Sequence, residues 1–538
     1  MNKSDRINGS IQELMQQQVI LPVQAGSESY VIFKSDESQK AYSLLSKDCE
    51  MALRLLFRNQ FGIRISRQEY QDLQDDLEML SYEQPLDYRL ADRVFNDESG
   101  AVVYDLDQDH GRVVWIEDGK CEVCSTEVCL FKRSSTYEKQ VMPDLNAEPG
   151  EIIPLVQKHF NLASMDNIIL MALYLISSLV GLKISHPILA LIGEKGSSKS
   201  TTMRKLVRII DPQTSDLGSL PRNAGDLELR LANSYLVTLD NLSFIRQNVS
   251  DLLARAATGG SVTKRKLYSD RDEVVLDIKS LVILNGVSMV VHASDLADRC
   301  LFMELTRLDS AKRKTEEEIW QSFEEDLPRI LGSCFNALAV ALNDQEELKT
   351  NEWIRMADWH ELCLRIGRAI HVEERHINHI LSKNQQYGNE QILSDNMTAF
   401  CLIELMRNRT EYKGSVTQLR KDLIRIADEN GISESLLPKT PNRVSRELNL
   451  NKSNLEQLEG ITYQIVKVKS YREIRITKIE KPDAGEKQRL AAGGAGRNRV
   501  HSKENTDRKK KICNVKTTKR LPLTKHRTAS DRGSDPAC

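Results

Sequence analysis

The chain has 538 residues, 40% hydrophobic and 28% charged, with a formal charge of only −2 at neutral pH. Domains usually span ~100–200 residues, so this length has room for three or four with sizeable cores and excludes a peptide-sized module. The near-neutral total conceals an asymmetry: residues 497–538 hold 13 Lys/Arg against 4 Asp/Glu, a local +9 that leaves −11 on the rest.

Ten cysteines are scattered without regular spacing, and Met1-Asn2-Lys3-Ser4-Asp5 lacks the apolar stretch of a signal peptide, so a reducing, cytoplasmic setting is expected. The most apolar segment, 168–182, is 15 residues without a charge. A membrane helix needs ~20, so a buried helix and no membrane are expected.

Residues 1–145 mix strand-like runs, Tyr30-Val31-Ile32-Phe33 and Ala101-Val102-Val103-Tyr104, with an amphipathic helix over 41–59. They predict a small α+β domain. Cys121 and Cys124 have the spacing of half a zinc site, with Cys129 and His110 nearby. Structural zinc sites are closed by four ligands and no second pair follows, so thiols in an ordinary strand region are expected. Pro143, Pro149 and Pro154 surround a connection over 146–160.

Strand-like runs at 187–192, 235–239 and 280–284, separated by helical or mixed segments, predict an α/β domain over 160–345 with a parallel sheet and helices on both faces. Ligands of such sheets bind at the carboxyl ends of the strands. The first run opens into Gly193-Glu194-Lys195-Gly196-Ser197-Ser198-Lys199-Ser200-Thr201, followed by a helical pattern to Ile210. Small residues let the backbone N–H groups curl around a triphosphate at a helix N-terminus. Lys199 is placed to reach the β- and γ-phosphates of ATP, and Ser200 to hold Mg2+. The usual pattern is met except that Ser198 stands where a second glycine is expected.

Tyr235–Asn241 is a second buried strand ending in Asp240, where a magnesium-holding carboxylate belongs. Its neighbour Asn241 can orient water but cannot take its proton. The third strand ends in Asn285, a single polar group suited to the attacking water or the γ-phosphate. Fourteen residues on, Arg299 is suited to a neighbouring subunit's γ-phosphate, with a salt bridge to Asp295 or Asp298 as the alternative. Between the second and third strands, Thr258-Gly259-Gly260 leads to Lys264, Arg265 and Lys266, a loop or hairpin that points cations at nucleic-acid phosphates.

Residues 315–385 are helical by pattern, with Thr315 capping an acidic first turn, and 346–395 predict a helical bridge. Over 396–480 the order is three helices and a hairpin, a winged helix-turn-helix. Thr440 and Pro441 cap the third helix and place Asn442, Arg443 and Arg446 where recognition helices meet DNA. Lys467, Lys469 and Arg472 flank the hairpin turn. Residues 484–538, with Arg508-Lys509-Lys510-Lys511, predict a disordered basic tail.

Gly193 to Ser200, Leu239-Asp240-Asn241-Leu242-Ser243, Thr258-Gly259-Gly260, Ile283-Leu284-Asn285-Gly286 and Asp298-Arg299 together resemble the superfamily 3-type helicase ATPases, a branch of the AAA+ group. More narrowly, they are similar to primase/helicase-like ATP-binding proteins of bacterial prophages and integrative elements. The resemblance covers 160–345 in motif detail and is weaker before it and through the winged-helix region. It implies a P-loop AAA+ fold, a homo-oligomer, hexameric in the family, with ATP between subunits, and a central hairpin contacting DNA through the basic residues that map onto Lys264, Arg265 and Lys266. Ser198 and Asn241 depart from the pattern and bear on rate more than on nucleotide binding. Residues 1–145 carry no zinc-binding primase module and no acidic polymerase triad. The expected function is an ATP-dependent DNA motor or helicase-like replication protein of a mobile element. Asn241 keeps open a nucleotide-gated DNA-binding protein with weak or no ATPase. A P-loop kinase has no need of the winged helix, the basic loop or Arg299.

Overall fold

A helix, three strands and two more helices open the chain: α1 (Lys3–Gln16), β1 (Ile20–Ala25), β2 (Glu28–Lys34), β3 (Gln39–Ser43), α2 (Lys47–Phe61) and α3 (Arg67–Glu83). The computed structural model describes residues 3–35, 38–83, 88–107, 111–126, 128–215, 217–265, 273–286, 291–307, 314–350, 353–468, 471–479 and 525–526. The chain divides into two units, residues 1–388 with 523–538, and residues 389–522.

In the first unit, β1, β2 and β3 pair antiparallel, and Ile11, Leu14, Val31, Leu53, Phe57 and Leu77 form a cluster between them and the helices. The helix expected over 41–59 is displaced, because Ala41–Ser43 belong to β3 and α2 begins at Lys47. Its start is fixed by Ser46, whose hydroxyl accepts the Cys49 N–H at 3.1 Å. Four further strands follow: β4 (Val94–Asn96), β5 (Val102–Asp107), β6 (Arg112–Glu117) and β7 (Lys120–Thr126). They form an antiparallel sheet whose other edge is a two-residue strand, Lys525–His526, against β7.

Side chains alternate across that sheet with a period of two. Val102, Tyr104, Leu106, Val114 and Ile116 face the main core, while Val103, Val113 and Trp115 face a separate cluster. The same alternation separates two cysteines of the zinc alternative. Cys124 lies in the separate cluster, whereas Cys121 packs on the main core and its thiol donates to Asn336 Oδ1 at 2.9 Å. His110 lies outside the described residues.

The central elements are α4 (Ile152–His159), α5 (Met165–Ser177), β8 (Ile188–Ile192), α6 (Lys199–Ile210), α7 (Ala224–Ala232), β9 (Leu236–Leu242), α8 (Gln247–Thr258), β10 (Gly260–Arg265), β11 (Glu273–Ile278), β12 (Leu281–Gly286), α9 (Ser294–Ala297) and β13 (Cys300–Glu304). The helices α10 (Glu316–Asn343), α11 (Ala357–Ala369) and α12 (Glu374–Asp395) follow. Four strands make a parallel sheet in the order β13-β8-β12-β9. Ile188-Leu189-Ala190-Leu191 is apolar throughout because parallel strands are covered on both faces. Helix α5 is buried from Ile168 to Ser177 and packs on α4, α10, α11 and β13. Among the described residues no helix is long and apolar enough to cross a membrane. Strands β10 and β11 form an antiparallel hairpin inserted between α8 and β12.

The second unit contains α13 (Met397–Leu405), β14 (Glu411–Ser415), α14 (Val416–Glu429), α15 (Pro441–Leu450), α16 (Lys452–Glu459), β15 (Ile461–Val468) and β16 (Tyr471–Lys478). The three strands pair antiparallel in the order β14-β16-β15. Its core joins Leu402, Leu419, Leu423, Val444, Leu448 and Ile474. Strand β14 and helix α16 were not expected from the pattern: only Tyr412 of β14 is buried, too little for a strand signal. The turn at Lys469-Ser470 and the basic tail, apart from Lys525 and His526, lie outside the described residues.

Candidate nucleotide site

The loop between β8 and α6 is shaped by backbone demands. A Cβ on Gly193 would stand 2.7 Å from the carbonyl oxygen of Leu305 and 2.6 Å from Ser197 Oγ, so only glycine fits. Ser198 is left-handed, with φ of 65°, at the position where the motif usually carries glycine. That conformation costs a serine about 1 kcal/mol and shows why the substitution is tolerated but not free. Ser198 gives α6 no side-chain cap, so the first-turn N–H groups and the positive end of the helix face the loop.

Lys199 Nζ donates to the carbonyls of Gly193 at 2.6 Å and Glu194 at 2.9 Å. Burial lowers its pKa, and the Asp240 charge opposes that shift. Ser200 Oγ donates to both carboxylate oxygens of Asp240 at 3.3 Å. Asn285 is buried and its Nδ2 donates to Asp240 Oδ1 at 2.5 Å. A bulge brings these two together: β12 pairs with β9 at Leu284 and Leu239, then at Gly286 and Leu242, so Asp240 and Asn241 both stand opposite Asn285. Asn241 absorbs the extra residue with φ of 56° and is exposed, while Asp240 points toward α6. The structure therefore joins Lys199, Ser200, Asp240 and Asn285 at the carboxyl ends of β9 and β12.

The donor set fits a magnesium–triphosphate. Ser197 Oγ is buried without a hydrogen-bond partner, an acceptor and donor left over inside the loop. The hydroxyl of Ser200 and the carboxylate of Asp240 are the oxygen ligands a hard dication prefers. Among the described residues no group of three or more His, Cys, Asp or Glu could hold a metal ion.

Arg299 lies at the start of β13 and pairs within its own chain. Its Nη1 is 2.6 Å from Asp295 Oδ1, and Asp295 is shared with Arg355 at 2.9 Å. The Arg299 Nε is buried without a partner. Lys264 and Arg265 stand in β10 opposite Val274 and Glu273. Their side chains, and all of Lys266, lie outside the described residues. In the second unit, Thr440 Oγ1 accepts the Arg443 N–H and Pro441 occupies the first turn of α15. Val444 and Leu448 face inward, which leaves Asn442, Arg443 and Arg446 exposed, and Asn442 and Arg446 line a hollow of about 470 Å³.

Motif reasoning missed a second cavity, of about 550 Å³, beside the loop. Gly196, Ser198 and Thr201 line it together with Lys205, Phe160 and Ile319. No local pattern connects residues 157–161 with 314–322; only the fold does.

Two family descriptions match the chain: the actinomycete integrative conjugative element replication protein over 153–378, and the C-terminal domain of that replication protein over 398–492. The chain belongs to this replication-protein family. The first match runs from α4 into α12 and contains Lys199, Ser200, Asp240, Asn285 and Arg299; the second contains α13 to β16. No curated protein matches the chain. Among solved structures, the C-terminal region of NrS-1 is similar at 12% identity and a TM-score of 0.37, covering 87% of this chain and 98% of that one. The JCV helicase is similar at 13% identity and a TM-score of 0.24, covering 45% of this chain and 66% of that one.

Proposed function

We propose that this replication protein is an ATP-dependent DNA motor with a P-loop AAA+ type ATPase domain over 160–345 and a winged-helix domain over 396–480. The observation that carries it is the meeting of Lys199, Ser200, Asp240 and Asn285 at the ends of parallel strands, next to a helix start that faces its own loop. Lys199 exchanges its two loop carbonyls for the β- and γ-phosphates of ATP. Ser200 and Asp240 would hold magnesium, which when bound would supply positive charge against the phosphates. Asn285 fixes the Asp240 carboxylate and presents its amide toward the attacking water. Arg299 leaves Asp295 to reach the γ-phosphate of an adjacent subunit in a ring, a hexamer in this proposal. Lys264, Arg265 and Lys266 on the hairpin, and Arg443 and Arg446 on α15, meet DNA phosphates.

The second function, nucleotide-gated assembly on DNA with weak or no ATPase, is favoured by one observation: the neighbour of Asp240 is an exposed amide, Asn241. ATPase rate with and without single-stranded DNA, together with the native mass of the ATP-bound protein, separates the two. The motor predicts DNA-stimulated turnover and an assembled ring. It also predicts partial rescue when Arg299→Ala and Lys199→Ala subunits are mixed. Assembly with no stimulated turnover supports the gated binder, and unchanged nucleotide affinity in Lys199→Ala removes both.

A further inference from the structure

We propose that the cavity beside α6 receives the nucleoside end of the triphosphate, and that Lys205 binds that end through a charge-assisted hydrogen bond. The inference builds on the phosphate-loop assignment above and names what the adjoining space is for.

The cavity is continuous with the loop, because Gly196, Ser198 and Thr201 line both. At about 550 Å³ it falls within the ~300–1,000 Å³ typical of small-molecule sites. Its walls are mixed as a nucleoside requires, with Phe160 and Ile319 offering apolar surface and Asn161 and Ser322 offering polar groups.

Lys205 lies on the first two turns of α6, six residues after Lys199, and is 5% exposed. Its Nζ donates to the His159 carbonyl at 2.9 Å and sits 5.2 Å from the centre of the Phe323 ring. Among the described residues no carboxylate pairs with it. Lys158 has Asp326 at 2.5 Å, and Glu318 accepts the Thr315 N–H in its capping box. An ammonium has three N–H groups, so two of those on Lys205 have no protein acceptor among the described residues. A buried cation in this state is stabilised by any further acceptor that reaches it, and the cavity it lines is where a ligand would bring one. The burial, with Lys314 adding like charge, pushes its pKa down to about 8. A donor-only tip recognises acceptors, here those that only the nucleoside supplies: ribose oxygens or a ring nitrogen.

The test compares ATP with inorganic tripolyphosphate, which shares the phosphates and lacks the nucleoside. Affinities are measured by calorimetry on the full chain with magnesium at pH 7.5. Lys205→Met should weaken ATP about 10-fold, as expected for losing one charge-assisted hydrogen bond, and leave tripolyphosphate unchanged. Ser322→Trp, which fills the cavity from the α10 side, should do the same. Equal loss on both probes, or no loss on ATP, in either variant overturns the inference. If Lys205→Met does not fold, Ser322→Trp decides alone. Lys199→Ala distinguishes the two levels: it should weaken both probes, and if tripolyphosphate binds it as well as wild type the phosphate-loop assignment itself fails.

Discussion

Lys199 and Lys205 sit six residues apart on one helix, and burial depresses both, yet their surroundings differ in kind. Lys199 is held by two carbonyls of its own loop, and the Asp240 charge supports its ammonium form. Lys205 has one carbonyl, an aromatic ring and the like charge of Lys314. The loop end of the groove carries partners that a phosphate can replace one for one. The far end carries an ammonium with one protein acceptor among the described residues, the His159 carbonyl. On the proposed reading, binding at the first exchanges hydrogen bonds and binding at the second adds one.

The largest expected effect tests the exchange. Lys199→Met should lower ATP affinity about 100-fold, because the bonds lost run from a charged donor to phosphate. Fluorescent-nucleotide titration checks this, and a loss below 3-fold would put the lysine outside the phosphate site. Next, Asp240→Asn keeps the side-chain volume and removes the charge. The gain in ATP affinity expected on adding magnesium should be about 10-fold smaller in this variant than in wild type, while affinity in EDTA stays the same. If the magnesium dependence survives intact, the carboxylate is not a ligand of the ion.

Lys205 has a pH signature whose sign follows from its lowered pKa. The ammonium is present below about 8 and lost above it, so ATP affinity should fall about 5-fold from pH 7.5 to pH 9, and Lys205→Met should flatten that change. Among the described residues the charged groups around it are Lys158, His159, Lys314, Glu318 and Asp326. Burial lowers the His159 pKa despite its bond to Asp326, so that ring stays neutral over this range. A wild-type profile equal to that of the variant would remove Lys205 from binding. The smallest effect concerns the loop backbone: Ser198→Gly should raise stability by about 1 kcal/mol, read from the urea midpoint, since glycine adopts φ of 65° without strain. A lower midpoint would show that the serine side chain contributes more than its conformation costs.

What the sequence made legible was contiguous. The loop from Gly193 to Thr201 and the apolar strands ending at Asp240 and Asn285 are each a single run of residues, and covered parallel strands announce themselves by unbroken hydrophobicity. The position of Asp240 relative to Asn285 was not legible, because it depends on a bulge between strands more than 40 residues apart. Arg299 was assigned to a neighbouring subunit, while within the single chain it pairs with Asp295, the alternative the sequence also offered. The cavity at Lys205 was invisible, its walls being assembled from three distant segments. Helix α1 was missed as well: Ile7, Ile11 and Leu14 carry its buried stripe, but the segment averages polar and reads weakly without its partners.

Arg93 and Asp211 give the first unit a mechanical property. Asp211 follows the last turn of α6, the end of a helix dipole that disfavours a carboxylate. Arg93, at 0% exposure, meets it at 2.7 Å and also donates to the carbonyls of Asp105, Glu138 and Pro212. The helix that begins at the phosphate loop is thus anchored at its opposite end by a residue encoded more than a hundred positions earlier, next to the sheet of β4 to β7. A fragment cut at residue 146, where the connection into the α/β domain begins, would lose that anchor and bare the apolar face now covered by Tyr104, Leu106, Val114 and Ile116. The α/β half is consequently not excisable at residue 146, and the early strands are part of the chassis on which the loop between β8 and α6 stands.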